Sequence, residues 1–420
     1  MDHVNMLSEY LKGSNNVTLE QVMKYYDLSS NGFVPESNDV TLPDNYQEWE
    51  LACRKLPVLI ENGTLRQVID ELPFMSPEEL VSLDQKKRAY LILCMMGNGY
   101  LWMSGRECAP KKLPENIAYP WYRIATSLGL KPILTHAAVD LYNCVPKGSN
   151  DSFDDNFVPD PDNMDCLFTL TGTPDEKWFY LIMSAIELEG AKGVKIMFRL
   201  LEALYLTKGD KNNELITELL YELSVNIKNV ELLLKRTLEK DDEDKYKCDP
   251  KVFWNKLRIY LGGTSDPSLF PDGLEFESIS TDDKGQSNSG GSAAQSSLIQ
   301  LYDGLLGVTH VSTHTRKFLL SMRYYMPKSH RYLLEDMESV SGLRDYVMMQ
   351  SDTTMTQAFD ACITTLVNFR KYHYYIVQKY IIENLPIEAQ KEAKGTGGTT
   401  LTGFLVISRD ETTNTKLSEQ

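Results

Sequence analysis

The stretch MTQAFDACITTLVNFRKYHYYIVQKYIIEN, Met355 to Asn384, decides the fold class. Cys362, Leu366, Phe369, His373, Val377 and Tyr380 recur in it at steps of three or four, which predicts one long helix with a single apolar stripe. His373 lies on that stripe, with Arg370 one turn before it. Outward from this segment, three more helix starts can be read. Ser76-Pro77-Glu78-Glu79 and Thr173-Pro174-Asp175-Glu176 each place a hydroxyl at the cap, Pro at the first helical position and Glu three residues after the cap. Asp249-Pro250 opens the segment carrying Phe253, Trp254, Leu257 and Tyr260. Sustained alternation is scarce and no hairpin dipeptide separates β-rich runs, so the expected fold is mainly α.

Three regions break the helical pattern. Pro146 to Asp165 is rich in Asp, Asn, Pro and Gly and reads as a boundary loop; Gly262 to Gln295 and Pro386 to Thr400 are likewise loose. The run Glu239 to Lys247 reads as a solvated helix end. At 420 residues the chain calls for two domains or one large helical one. Its net charge of −16 argues against nucleic acid or an anionic membrane as partner. No apolar run is long enough to span a bilayer, and the acidic start Met1-Asp2-His3 does not resemble a signal peptide. The seven cysteines are scattered without a C-x-x-C pair, so a reducing, cytoplasmic location is expected.

Six histidines limit the metal chemistry, and none forms H-E-x-x-H or a zinc cluster with Cys. His310 and His314 are four apart, but no carboxylate is close in sequence, which argues against a metal pair. His373 has a different setting. A haem axial ligand needs a neutral imidazole projecting from a rigid helix into an apolar cavity, with a cation near the rim. The residues alone leave open a core histidine bonded to a backbone carbonyl. Arg258 follows Trp254 by four residues and Phe253 adjoins it, a pairing suited to a ligand with a ring and a carboxylate, or to an Arg stem packed on Trp. Gly395-Thr396-Gly397-Gly398-Thr399 lacks the Lys-Ser/Thr ending of a P-loop and reads as a lid or a flexible linker.

Taken in order, GGSAAQSS (290–297), MRYYMP (322–327), LRIYL (257–261), Tyr372-His373 with IVQKYI (376–381), AKGTGGT (393–399), LPENIA (113–118) and PIL (132–134) resemble the indoleamine 2,3-dioxygenases. The resemblance runs from about Tyr25 to about Val406. It implies a small, mostly helical N-terminal domain with its linker (1–155) and a large all-helical domain (156–420) that holds haem b, with a C-terminal lid loop near 386–400. By position, His373 matches the iron ligand, Arg370 the propionate-binding Arg and Asp303 the carboxylate that holds it. Gly291, Ser292 and Ala293 match the small residues at the haem edge, and Phe179 and Met183 stand on the distal side. Phe253 and Arg258 match the residues that stack on the indole and pair with the substrate carboxylate, and Thr399 matches the lid threonine.

Three positions depart from the mammalian pattern: Met183 replaces a small Ser, and His136 and Asp140 stand where Tyr and Val are found. An Asp in an apolar pocket must be paired or protonated. The implied reaction inserts both atoms of dioxygen into the indole ring of L-tryptophan, or a related indoleamine, to give N-formylkynurenine. The alternative is an oxygen-binding, non-enzymatic or weakly active haem protein on the same fold. A monomer is expected, since no coiled-coil seam is evident.

Overall fold

The computed structural model describes residues 3–13, 17–148, 152–154, 157–206, 212–279 and 285–418. The architecture is mainly α, as the periodicity predicted. The only named strands among the described residues are four pieces of two or three residues, joined as two ladders. The long helix spans Thr353–Tyr380, capped by Asp352, whose side chain accepts from the backbone N–H groups of Thr354 and Met355. Beyond Tyr380 the chain tightens into a 3₁₀ turn, Ile382–Asn384, so the helix stops a turn earlier than the apolar pattern suggests. Every predicted stripe residue is buried except His373.

That helix packs on Asn212–Lys235, whose buried Ile216, Leu219, Leu220, Leu223, Ile227, Val230 and Leu234 repeat at helical spacing. Burying each such side chain contributes roughly 1.5–3 kcal/mol. Asn212–Lys235 in turn packs on Pro174–Tyr205. These two helices approach closely at Gly193, where a Cβ would come 2.2 Å from Asn226 Oδ1 and 2.6 Å from the Tyr302 hydroxyl. Two further helices complete the frame around the site: Ser297–Leu306, and Leu401–Thr413, which lies along Thr353–Tyr380. Leu83–Trp102 and Glu115–Leu128 pack together towards the N-terminal end. One continuous apolar core runs from Leu7 to Tyr380.

Local expectations met mixed outcomes. Thr173 caps Pro174–Tyr205 by accepting from Glu176 N–H. Glu176, however, reaches past the cap to the backbone N–H groups of Leu170 and Thr171, tying down the preceding loop. The start at Ser76 gives only a 3₁₀ turn, Pro77–Glu79, because buried Leu80 turns the chain out of the helical path; the long helix begins after Ser82, which accepts from Gln85 N–H. Pro250–Val252 is one short turn that widens into a π turn, Phe253–Leu257, and tightens into a 3₁₀ turn, Arg258–Leu261. Glu239–Lys247 is a loop closed by a Lys240–Tyr246 bridge, not a helix end. Residues flanking the boundary loop pair as an antiparallel ladder, Cys144–Pro146 with Met164–Cys166. All seven cysteines are free thiols. Among the described residues no helix is long and apolar enough to cross a membrane.

Candidate active site

His373 lines a largely apolar cavity, together with Met183, Ile186, Leu234 and Phe369. The ring keeps some accessible surface on the cavity side while protein atoms crowd it elsewhere. Neither ring nitrogen has a hydrogen-bond partner among the described residues. Burial, helped by the nearby Arg370 charge, pushes its pKa down to about 4, so the imidazole is neutral at physiological pH. A core histidine bonded to a carbonyl is therefore not what stands here.

Arg370 is fixed at the same cavity. Its Nε donates to Thr412 Oγ1 at 2.8 Å and its Nη2 to both Asp303 oxygens at 2.6 Å, leaving Nη1 without a partner among the described residues. Burial works to raise the Asp303 pKa, but Arg370 and His310 outweigh it and hold the carboxyl below its ordinary value. His310 stands behind, with Nδ1 2.7 Å from Glu411 Oε2 and Nε2 3.5 Å from Asp303 Oδ2. Burial disfavours its charge; Asp303 and Glu411 restore it, so the imidazole pKa is raised. Sequence distance hid this cluster: the carboxylates of His310 come from a preceding helix and from the C-terminal helix. No short-range pattern marks Glu411 or Thr412.

The opposite wall carries a second cluster. His136 Nδ1 lies 2.7 Å from Asp140 Oδ2 and its Nε2 2.8 Å from Glu187 Oε1, which also accepts from Ser296 Oγ at 2.6 Å. Burial alone would lower the His136 pKa, but the two carboxylates raise it to about 10. Asp140 is thus paired, as an Asp in an apolar pocket must be. His136 and Asp140 are four residues apart on one helical turn, the spacing at which side chains share a face, and Ala137–Leu141 is wound as a π turn. Glu187 joins them from Pro174–Tyr205, one turn beyond Met183, and no local pattern marks it.

Of the residues singled out from the sequence, His373, Arg370, Asp303, Ala293 and Met183 line the cavity; Phe179, Phe253, Arg258, Gly291, Ser292 and Thr399 stand outside its lining. Phe179 is one helical turn before Met183, and its ring lies 4.9 Å from that of Phe253, which meets Tyr380 edge-on at 5.3 Å. Arg258 lies over the Trp254 ring at 4.7 Å and donates from Nη2 to Lys394 O at 2.9 Å. Its Nε is buried without a partner, and no carboxylate pairs with it among the described residues. The glycine-rich loop is folded against the 290s segment. Lys394 bridges to Thr400, Gly290 N–H donates to Thr396 O at 3.0 Å, and the Thr396 hydroxyl donates to Gly291 O. Thr399 is buried beneath it.

This constellation fits haem b: a neutral imidazole with free nitrogens on an apolar wall, and a rigidly held guanidinium with one unfilled donor for a carboxylate. Small Ala293 and Ala294 in the wall leave room for a flat group. Comparison with known proteins points the same way. The profile of the family described as Indoleamine 2,3-dioxygenase matches residues 22–415. Indoleamine 2,3-dioxygenase 1 of Mus musculus is 33% identical over 92% of this chain and 93% of its own. The Saccharomyces cerevisiae indoleamine 2,3-dioxygenase is 34% identical over 93% of each, and a myoglobin of Haliotis madaka is 32% identical over 93% of this chain and 98% of its own. The chain belongs to the indoleamine 2,3-dioxygenase family, a family of haem-dependent dioxygenases.

Proposed function

We propose that the chain inserts both atoms of dioxygen into the indole ring of L-tryptophan, giving N-formylkynurenine. The observation that carries this reading is the neutral, unpartnered His373 on the wall of the cavity that Arg370 and Asp303 also line. His373 would hold the iron, Arg370 a propionate through its free Nη1, and Asp303 would keep that guanidinium in place. Gly291, Ser292 and Ala293 would border the haem edge, with Phe179 and Met183 on the distal side. When bound, haem b supplies the binding of dioxygen and its transfer to the ring. Arg258, a half-buried cation with no carboxylate partner among the described residues, would take the substrate carboxylate in exchange for Lys394 O. Phe253 would stack on the indole, and the loop bearing Thr399 would exclude water. Catalysis by these side chains is positioning rather than proton transfer.

The reading includes a division into an N-terminal domain to residue 155 and a haem-holding domain from 156, a monomeric state and a cytoplasmic location. A second reading, an oxygen carrier or a weakly active member, is favoured by one observation: Arg258 and Phe253 lie outside the lining of the cavity. The similarity to a protein named myoglobin accords with it. Absorption spectra of haem-reconstituted wild type and His373→Ala, reduced in air with and without L-tryptophan, separate the cases. The expected result is a Soret band lost in the variant and N-formylkynurenine only from wild type with tryptophan. A His373-dependent band without product supports the carrier, and no haem uptake by either protein refutes both.

A further inference from the structure

The cluster of His136, Asp140 and Glu187 is unusual for a cavity wall. All three residues are more than nine-tenths buried, and His136 and Glu187 line the cavity itself. The imidazole stands between two carboxyl groups, and burial raises the Asp140 pKa against the lowering effect of His136. Both ring nitrogens are already engaged, so His136 has no proton to offer a ligand. What remains unfilled is on the acidic side: Glu187 Oε2 and Asp140 Oδ1 are buried with no donor among the described residues. A buried acceptor without a donor is costly, and costlier still when charged. The wall is complete only when something donates to it.

Met183, Ile186 and Glu187 line the cavity from one face of Pro174–Tyr205. A ligand lying against Met183 is therefore within one helical turn of the Glu187 carboxylate. Most of the surrounding wall is apolar (Ile186, Leu234, Ile299, Phe369) and accepts the body of an aromatic ring but nothing polar on it. Ser296 beside Glu187 already spends its hydroxyl proton on Glu187 Oε1, so the unfilled hydrogen-bonding capacity at Glu187 is its Oε2 acceptor.

We propose that the His136–Asp140–Glu187 cluster is a specificity determinant that selects a ring-hydroxylated indole amino acid over the unsubstituted one, the added hydroxyl donating to Glu187 Oε2. This rests on the reading of the cavity as the site of an indole substrate. His136 serves as the positioning residue: held by Asp140 Oδ2 behind it, it engages Oε1 of Glu187, so that Oε2 is the oxygen left for a ligand. The discrimination has a stated sense, since a site built to accept a hydrogen bond rejects the analogue lacking the donor.

The test is a calorimetric titration of the haem-loaded protein with L-tryptophan and with 5-hydroxy- and 6-hydroxy-L-tryptophan, for wild type, Glu187→Gln and Asp140→Asn. Each variant is isosteric and keeps one carboxylate on His136, and an unchanged Soret band and melting temperature verify that it is folded. The expected result is that wild type binds at least one hydroxylated amino acid about tenfold more tightly than tryptophan. Glu187→Gln, presenting an N–H where the acceptor stood, loses that preference while its tryptophan affinity stays within about threefold. Tryptophan binding without a preference for either hydroxylated ligand, or a preference that survives in Glu187→Gln, overturns the inference and leaves the substrate reading intact. Failure of all three amino acids to bind the haem-loaded wild type overturns both.

Discussion

Replacing Asp303 by Asn isolates the energetics of the cofactor side of the cavity. The Asp303 and Arg370 side chains are 10% and 11% exposed, so their pairing is little screened by solvent. Asp303 accepts twice from Arg370 at 2.6 Å and faces His310 at 3.5 Å; losing its charge leaves Arg370 on a neutral acceptor, while His310 keeps Glu411 at 2.7 Å. Breaking one side of a buried pair costs about 3–5 kcal/mol, and since Asn retains the volume and one acceptor oxygen we expect about 3 kcal/mol. The loss should be specific to the pair. In a cycle of Asp303→Asn, Arg370→Gln and the double variant, the double should recover about 2 kcal/mol relative to the sum of the singles. Urea unfolding of the haem-free proteins reads this as a midpoint lowered by about 1 M in Asp303→Asn, and haem titration should show weakened uptake in the same variant. The sign with pH follows: a carboxyl held below its ordinary value contributes fully above about pH 3.9 and loses its contribution as pH falls through its folded value, so the gap between wild type and variant should narrow in acid. Additive losses, or a single variant within about 0.5 kcal/mol of wild type, would refute the reasoning.

Gly193→Ala should cost about 2 kcal/mol, because its methyl displaces the Asn226–Tyr302 hydrogen bond (2.7 Å); an unchanged denaturation midpoint shows that the helices can part freely. Arg258→Ala should raise the tryptophan KM about thirtyfold while leaving the Soret band in place, and an unchanged KM removes Arg258 from the substrate site. His136, with its pKa raised to about 10, stabilises the fold fully below about pH 6.5 and loses that contribution as pH rises through about 10. Wild type should therefore lose stability over that alkaline window more steeply than His136→Gln, and parallel curves would show that the imidazolium is not what the two carboxylates hold. Thr173→Ala should cost about 1 kcal/mol in thermal unfolding through loss of its cap on Pro174–Tyr205, and an unshifted melting temperature would show that Glu176 anchors that helix end alone.

What could be read from the sequence was the part of the molecule governed by local periodicity. The stripe through His373 and the cap at Thr173 depend on neighbours within a turn, and both are present in the structure. Where two local signals compete, the reading went astray. Ser76 and Ser82 both carry capping chemistry, and burial of Leu80 decided for Ser82. The π turns at Ala137–Leu141 and Phe253–Leu257 have no compositional signature, yet one of them carries Asp140 and the other Phe253. Glu187 and Glu411 were missed for a related reason. A carboxylate on an apolar helix face looks like a defect until its partner from a remote segment is known, and nothing local announces that partner.

The walls of the cavity are drawn from distant parts of the chain: His136 stands in its first half, His373 near its end, and Phe404, Leu405 and Ser408 beyond the lid. The two groups that fix Arg370 and His310 from the far side, Thr412 and Glu411, are later still. A ribosome therefore makes the helix that carries His373 before it makes the wall that encloses it. Until residues past 400 have left the exit tunnel, a nascent chain offers His373 without its surrounding cavity and Arg370 without Thr412. Enclosure of the cavity thus waits for residues past 400, and a chain clipped before them keeps His373 but not the wall formed by Phe404, Leu405 and Ser408.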